Sequence, residues 1–343
     1  MTAPGEPHIS LAQARRFAAR VLEAAGTAPA NAEITATALV AAEADGLGSH
    51  GLARLPSYSA MVAAGKIDGH AVPSARRTAP AVLSVDAGNG FAYPALALAV
   101  PQLAELARDT GIALVGLRRS SHFGVAGQPV EALAERGLLA LAFANAPASI
   151  APWGGRRPLF GTNPLAFATP LKGRPPAVVD LSVARVARGN VLAAAQRGEP
   201  IPEGWALDSE GRPTTNAKAG LRGTMVPMGE AKGTALAFVI EVMAAALTAS
   251  SFSSDTSSFF DGEGPPTAVG QVLIAIDPGR LAGAAYLDHL ERLAAAMESE
   301  PGARLPGTRR LANRARAAKD GVRVTSALRA ELAALGLPDV PGD

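Results

Sequence analysis

Gly46-Leu47-Gly48-Ser49-His50-Gly51 matches the G-x-G-x-x-G pattern of a dinucleotide-binding turn, and the fold depends on whether that match is accepted. The glycine-rich turn binds pyrophosphate only where a strand enters it, a helix leaves it and an acidic residue follows ~20 positions later. Here Asn31 to Ala44 enters it. That stretch has helical spacing, with Asn31 as a capping residue and Ile34, Ala38, Leu39 and Ala42 facing inward. The twentieth position falls near Lys66. A doubly wound fold is therefore rejected, and the glycines read as a joint between two helices. That reading does not explain why a serine and a histidine sit inside the joint.

Working outward, Ser10 to Ala25 reads as a capped amphipathic helix, and Ser49 to Ala64 as a third helical stretch that Pro56 starts or kinks. The pattern changes near Pro73. Ala81–Val85, Ile112–Leu117, Leu138–Ala144, Leu165–Thr169, 177–180 and 271–276 have strand character. Helices are expected at 94–110, 129–136, 181–197, 233–247, 284–297 and 325–334, the 233–247 helix being buried. Pro200 to Gly223 reads as a polar connector. The fold class is α+β, with a mixed sheet in the middle and helices from both termini. Residues 1–75 with 284–343 form the expected helical domain and 76–283 the sheet domain; 343 residues suit about two domains.

Composition narrows the function. Hydrophobic residues are 48% and charged residues 18%, enough for a large core. The absence of cysteine excludes disulfides, thiolate metal sites and a cysteine nucleophile. Net charge is +2, and aromatics are 4%, so no nucleic-acid partner is expected. The opening MTAPGEPHISLAQARRF has no cationic segment followed by an apolar run, and 233–247 carries Glu241, so neither a leader nor a membrane span is read. A soluble, cytoplasmic protein is the expectation.

Five histidines are present, and two share a local grammar: Ser49-His50-Gly51 and Ser121-His122-Phe123-Gly124. Histidine titrates near neutrality and glycine leaves it accessible, so both are acid–base candidates. No acidic residue lies at metal-ligand spacing from either, so no metal site is expected. If the stretch is helical throughout, His50, Arg54 and Tyr58 share a face. Arginine's planar fork suits a substrate carboxylate. Thr162 and Asn163 offer neutral hydrogen-bonding groups in the Gly/Pro-dense loop 149–164. Lys232 at the start of a helix is either a phosphate binder or an ordinary exposed charge.

In order, SHGLARLPSY (49–58), SHFGVAG (121–127), APWGGRRPLFGTNPLAFATP (151–170), VVDLS (178–182), IPEGWALDSEGRPTT (201–215) and MGEAKGTALAFVIEVMAAALT (228–248) resemble the type-2 malate/L-lactate dehydrogenase family of NAD(P)-dependent oxidoreductases. The resemblance implies a non-Rossmann cofactor site on a mixed, largely antiparallel sheet, and a homodimer with active sites near the subunit contact. It implies Ser49 and His50 as the acid–base pair and Arg54 and Thr162 as substrate contacts, with Tyr58 and Gly189 added to that wall. It implies His122, Phe123, Gly124, Val125, Ala126, Asp180, Leu181, Ser182, Lys232 and Arg309 as cofactor contacts; in some members the histidine matching His122 is the base instead. NADP is favoured over NAD, with Arg118, Arg119, Arg309 and Arg310 as partners for a 2′-phosphate.

One departure stands out. The imine-reductase branch carries His-Gly-Asp where this chain has Arg188-Gly189-Asn190, and that aspartate completes a Ser-His-Asp relay. Asparagine can orient an imidazole but cannot stabilise an imidazolium by charge. Arg188 would instead pair with a second anionic group, which points to a dianionic hydroxy acid such as sulfolactate or malate. The stretch 257–264 also looks nearer to the sulfolactate dehydrogenases. Reduction of Δ1-piperideine-2-carboxylate or Δ1-pyrroline-2-carboxylate is the alternative. A Ser-His hydrolase or a non-catalytic nucleotide-binding protein belongs to a different class; the hydrolase lacks the G-x-S-x-G elbow such enzymes use.

Overall fold

A computed structural model describes residues 7–340. Residues 1–6, part of the opening examined for a leader, lie outside them. In chain order, the first part is β1 (His8–Ile9), α1 (Leu11–Ala24), α2 (Pro29–Ala44), two 3-10 turns at Gly48–His50 and Leu52–Arg54, and α3 (Leu55–Ala63). The middle is β2 (Ser74–Ala79), β3 (Val82–Asp86), α4 (Ala92–Thr110), β4 (Ile112–Ser120), α5 (Gly127–Ala134), β5 (Leu139–Ala144), β6 (Leu165–Leu171) and β7 (Arg174–Leu181). Then come α6 (Arg188–Arg197), β8 (Ala206–Leu207), β9 (Pro213–Thr214), α7 (Ala217–Arg222), β10 (Thr224–Met225), α8 (Ala231–Glu241) and β11 (Val269–Ile276). The chain closes with α9 (Gly279–Ala282), α10 (Ala285–Ser299), α11 (Thr308–Asp320), β12 (Val322–Arg323) and α12 (Ser326–Ala334).

The main sheet has seven strands in the order β2-β3-β4-β11-β5-β6-β7. Only β3–β4 is parallel; every other pair is antiparallel. The sheet is thus mixed and largely antiparallel. Strand alternation sends side chains to both faces. Val115, Leu117, Ala142 and Leu273 pack under α4 and α5, while Phe143 and Val272 pack with Met225, Ala237 and Ile240. A third core joins the termini: Phe17, Leu22, Leu39, Leu55 and Met61 pack with Val322, Leu328 and Leu332. Each large side chain buried there contributes roughly 1.5–3 kcal/mol. Among the C-terminal helices, α11 contacts α2 and α12 contacts α3, whereas α10 lies on β6 through Tyr286 Oη and Thr169 Oγ1, 2.6 Å apart.

Ser10 caps α1 with Gln13 completing the box, as its position before the apolar stripe predicts. Asn31 does not cap α2. The helix starts earlier, with Pro29 in its first turn, and the Asn31 amide donates to Gly69 O and Ala71 O. The expected helix from Ser49 begins only at Leu55, because Pro56 suits a first turn and not a helix interior. The helix expected from Leu181 starts at Arg188, since β7 runs on to Leu181. The connector 200–223 holds β8, β9 and α7, and β10 completes a small three-stranded sheet. Helix α8 is not buried throughout. Phe238, Val239, Val242 and Leu247 are exposed on it and on the π-type turn that follows.

Candidate active site

The glycine joint has its own physics. Gly46 ends α2 with φ +79°, where a side chain is strained. Gly51 makes room for Glu43: a Cβ at position 51 would lie 2.2 Å from Glu43 Oε2. That carboxylate accepts from Leu52 N at 3.0 Å, and burial holds its pKa up. Glu43 therefore pins the joint to α2 and presents Ser49 and His50 on a fixed turn.

The two Ser-His units, far apart in sequence, meet here. The rings of His50 and His122 are 5.5 Å apart. Ser49 Oγ lies 3.0 Å from His50 Nδ1. Burial, and next the positive charge of Arg54, depress His50 to a pKa of about 4. The same two causes, in the same order, with His50 third, hold His122 well below its ordinary value. Both imidazoles are therefore neutral at pH 7.

Arg54 is 7% exposed. Its Nε donates to Ser49 O at 2.8 Å, and its guanidinium stacks on Phe260 at 4.7 Å. Its Nη1 is buried with no hydrogen-bond partner among the described residues, and no carboxylate pairs with it there. A buried cation left in that state is costly, and an anion reaching Nη1 would relieve that cost.

Tyr58 has no exposed surface to offer a substrate. Its hydroxyl is 2.7 Å from His122 Nδ1 and 3.0 Å from Tyr93 Oη. Phe259 packs on His122 with ring centres 5.1 Å apart. The loop bearing Phe259 and Phe260 is held by Lys66, whose fully buried ammonium donates to Asp261 O and Glu263 O. Tyr93 and Lys66 were not singled out as site residues from the sequence, and Phe259 and Phe260 entered only within the stretch 257–264. Each is far in sequence from the residue it serves, and only the rarity of tyrosine, three in the chain, hinted at one of them.

A second set of residues adjoins the ends of the strands. Phe123, Val125 and Ala126 are buried, which leaves only their backbone groups free for any ligand contact. Gly127 N donates to Asp180 Oδ2 at 2.7 Å, and Ser182 Oγ donates to Thr162 O at 3.0 Å. Val183 N also donates to Thr162 O, and Met228 N donates to Val183 O. These bonds draw 122–127, 161–163, 180–183 and the start of α8 into one locale. Thr162 is steadied by its neighbour: Asn163, with φ +36°, donates to the buried Glu241 carboxylate at 2.7 Å. Lys232 and Arg309 are exposed cations without an ion pair among the described residues. Arg118 and Arg119 instead pair with Asp86, and Arg310 with Asp45 and Glu131.

Arg188 is half-buried, its Nη2 donating to Leu221 O at 3.0 Å, and burial lowers its pKa. Gly189 and Asn190 are exposed at the start of α6, and no bond joins Asn190 to either imidazole among the described residues. Three or more His, Asp or Glu side chains do not converge on a metal-sized point among the described residues, and no helix there is long and apolar enough to cross a membrane.

The family model described as malate/L-lactate dehydrogenase matches residues 9–333, and the chain belongs to that family. It is 52% identical over 306 residues to a (2R)-3-sulfolactate dehydrogenase (NADP(+)) of Chromohalobacter salexigens, covering 89% of this chain and 91% of that one. It is 42% identical to a Δ1-pyrroline-2-carboxylate/Δ1-piperideine-2-carboxylate reductase of Pseudomonas aeruginosa, covering 95% of this chain and 98% of that one. The crystal structure of Δ1-piperideine-2-carboxylate reductase from Pseudomonas syringae superposes with a TM-score of 0.90 at 39% identity, covering 96% of this chain and 99% of that one. The chain is thus an oxidoreductase of the NAD(P)-dependent dehydrogenase and reductase type.

Proposed function

We propose that this protein transfers hydride between NADP and a small 2-hydroxy or 2-oxo acid carrying a second anionic group, of which sulfolactate and malate are examples. The observation that carries the reading is Arg54, a buried cation with a free Nη1 beside two neutral imidazoles. The residues suit the cofactor: Lys232 opens α8 just after Met228, whose N–H donates to Val183 O, Arg309 opens α11 just after Pro306, whose carbonyl accepts from Val178 N, and Ser120 and Ser121 keep buried hydroxyls without partners. NADP, when bound, supplies the hydride acceptor or donor; the protein supplies orientation and proton handling. Arg54 holds the substrate carboxylate and orients the reacting carbon. His50, backed by Ser49, takes the hydroxyl proton in oxidation and returns it in reduction. Carboxylate binding cancels the Arg54 charge, which lets the His50 pKa rise towards the range where a general base works.

Arg188, half-buried with a carbonyl as its partner, supports the second anionic group. Asn190, exposed and unbonded to an imidazole, disfavours the cyclic-imine alternative as far as that chemistry relies on a Ser-His-Asp relay. The exposed apolar stretch Phe238, Val239, Val242 and Leu247 supports a homodimer, because such side chains on one helix mark a contact face. Helices α1 to α3 with α11 and α12, which share a core, support a terminal helical domain beside a cofactor-binding sheet domain, while α10, packed on β6, goes with the sheet. The test is a panel of sulfolactate, malate, lactate, ureidoglycolate and the cyclic imines with both cofactors. Turnover of a dianionic hydroxy acid with NADP is expected, with Arg188→Ala hurting sulfolactate and malate more than lactate. Equal losses on all three would remove Arg188 from specificity. No change in reduced-cofactor fluorescence on mixing would remove the dehydrogenase reading.

A further inference from the structure

Behind the two imidazoles runs a chain of three groups: His122 Nδ1, Tyr58 Oη at 2.7 Å and Tyr93 Oη a further 3.0 Å on. Tyr58 is fully buried and Tyr93 is 5% exposed. Among the described residues, Tyr93 Oη has no other hydrogen-bond partner. Burial pushes both phenols' pKa values up, so each keeps its proton.

The hydrogens can be arranged in two ways. In the first, Tyr93 donates to Tyr58 and Tyr58 donates to Nδ1, so both phenolic hydrogens are used and His122 carries its proton on Nε2. In the second, Nδ1–H donates to Tyr58 and Tyr58 donates to Tyr93, which leaves the Tyr93 hydrogen buried without an acceptor. An orphaned buried donor disfavours the second arrangement by roughly five- to a hundredfold in population. The glycine of the Ser-His-Phe-Gly unit belongs to the same device. A Cβ at Gly124 would lie 2.5 Å from Tyr93 Oη, so glycine is what lets the terminal phenol reach its place.

We infer that Tyr58 and Tyr93 are positioning residues that hold His122 as the Nε2–H tautomer, so that this imidazole offers a hydrogen bond to the site and leaves proton acceptance to His50. The tautomer stands on the geometry alone; its use in the reaction rests on the function proposed above. With Nδ1 engaged by a phenol that donates, the nitrogen left to face the site already carries a hydrogen. It can hold the oxygen of a bound hydroxy or keto acid but cannot take that acid's proton.

The test is nitrogen NMR of the protein labelled at histidine, without cofactor or substrate, the His122 ring being assigned by its loss in His122→Gln. A protonated Nε2 and an unprotonated Nδ1 are expected in the wild type. A protonated Nδ1 overturns the inference and needs no variant. In Tyr58→Phe the Nδ1 partner is gone, so the ring should become a mixture of tautomers; an unchanged tautomer overturns the role given to the phenols. In kinetics, Tyr58→Phe should lower kcat roughly fivefold, the worth of one buried hydrogen bond, and move KM less than about twofold. Equal loss in both parameters with an unchanged tautomer would show a merely structural residue. Because the ring is read without substrate, a failed substrate panel leaves this result standing.

Discussion

Replacing Arg54 by methionine separates function from stability. The side chain makes one hydrogen bond, Nε to Ser49 O at 2.8 Å, and one stacking contact with Phe260. Losing them costs about 1 kcal/mol for the bond and about 0.5–1 kcal/mol for the stack. Against this, Nη1 is buried without a partner, and removing an unsatisfied buried donor returns about 1–3 kcal/mol. The terms nearly cancel, so the free protein should melt within about 2–4 °C of the wild type. Catalysis should not be spared. A charge-assisted bond to the substrate carboxylate is worth about 1.5–3 kcal/mol, so KM should rise roughly tenfold to over a hundredfold. The Arg54 charge also lowers the pKa of both His50 and His122, so without it the acidic limb of the pH–rate profile should move to higher pH. Calorimetry and steady-state kinetics across pH are the assays. A large drop in melting temperature with unchanged KM would refute the reasoning and make Arg54 a structural cation.

Three further outcomes follow from other parts of the molecule. The unfolded chain binds a proton at His50 near pH 6.5, whereas the folded one binds it only near pH 4; this contribution, up to about 3 kcal/mol, is full above 6.5 and fades as pH falls to 4. Denaturant melts between pH 7 and pH 4 should show it, and His50→Gln should flatten that slope. Glu241→Ala strands the Asn163 and Ser253 donors that its carboxylate accepts at 2.6–2.7 Å; a loss of about 3–5 kcal/mol is expected in denaturant melts, and unchanged stability would exclude the network. Phe238→Glu places a charge on the exposed apolar stretch of α8 and should shift a dimer to monomer in light scattering; an unaltered mass would move the interface elsewhere.

The fold was legible where periodicity and punctuation agreed. The cap at Ser10, the strand runs around 112–117 and 138–144, and the helix before Gly46 were all readable, and that helix, with Lys66 in place of the acidic residue, disposed of the dinucleotide fingerprint. The hairpin strand β2 escaped because Ser74–Ala79 is polar and exposed, as an edge strand of this sheet permits. Helix α8 looked buried because a contact face and a core helix have the same apolar composition. In the site, His50, Arg54 and His122 were found by residue type and local grammar. The shared helical face proposed for 50, 54 and 58 was not the reason they meet; two 3-10 turns bring His50 and Arg54 together. Tyr93, Lys66 and the Phe259–Phe260 loop act at sequence distances of 31–206 residues from what they touch, and no local pattern encodes such contacts.

The most direct test of the reaction uses a dianionic hydroxy acid carrying deuterium on its hydroxyl-bearing carbon, oxidised with NADP, the reduced cofactor being read by mass spectrometry. Deuterium is expected on the nicotinamide ring, and the rate in His50→Ala should fall by about two to four orders of magnitude while cofactor still binds. Unlabelled reduced cofactor, or full activity in His50→Ala with the loss falling on His122→Ala instead, would contradict the assignment of the chemistry to this site and of the base to His50.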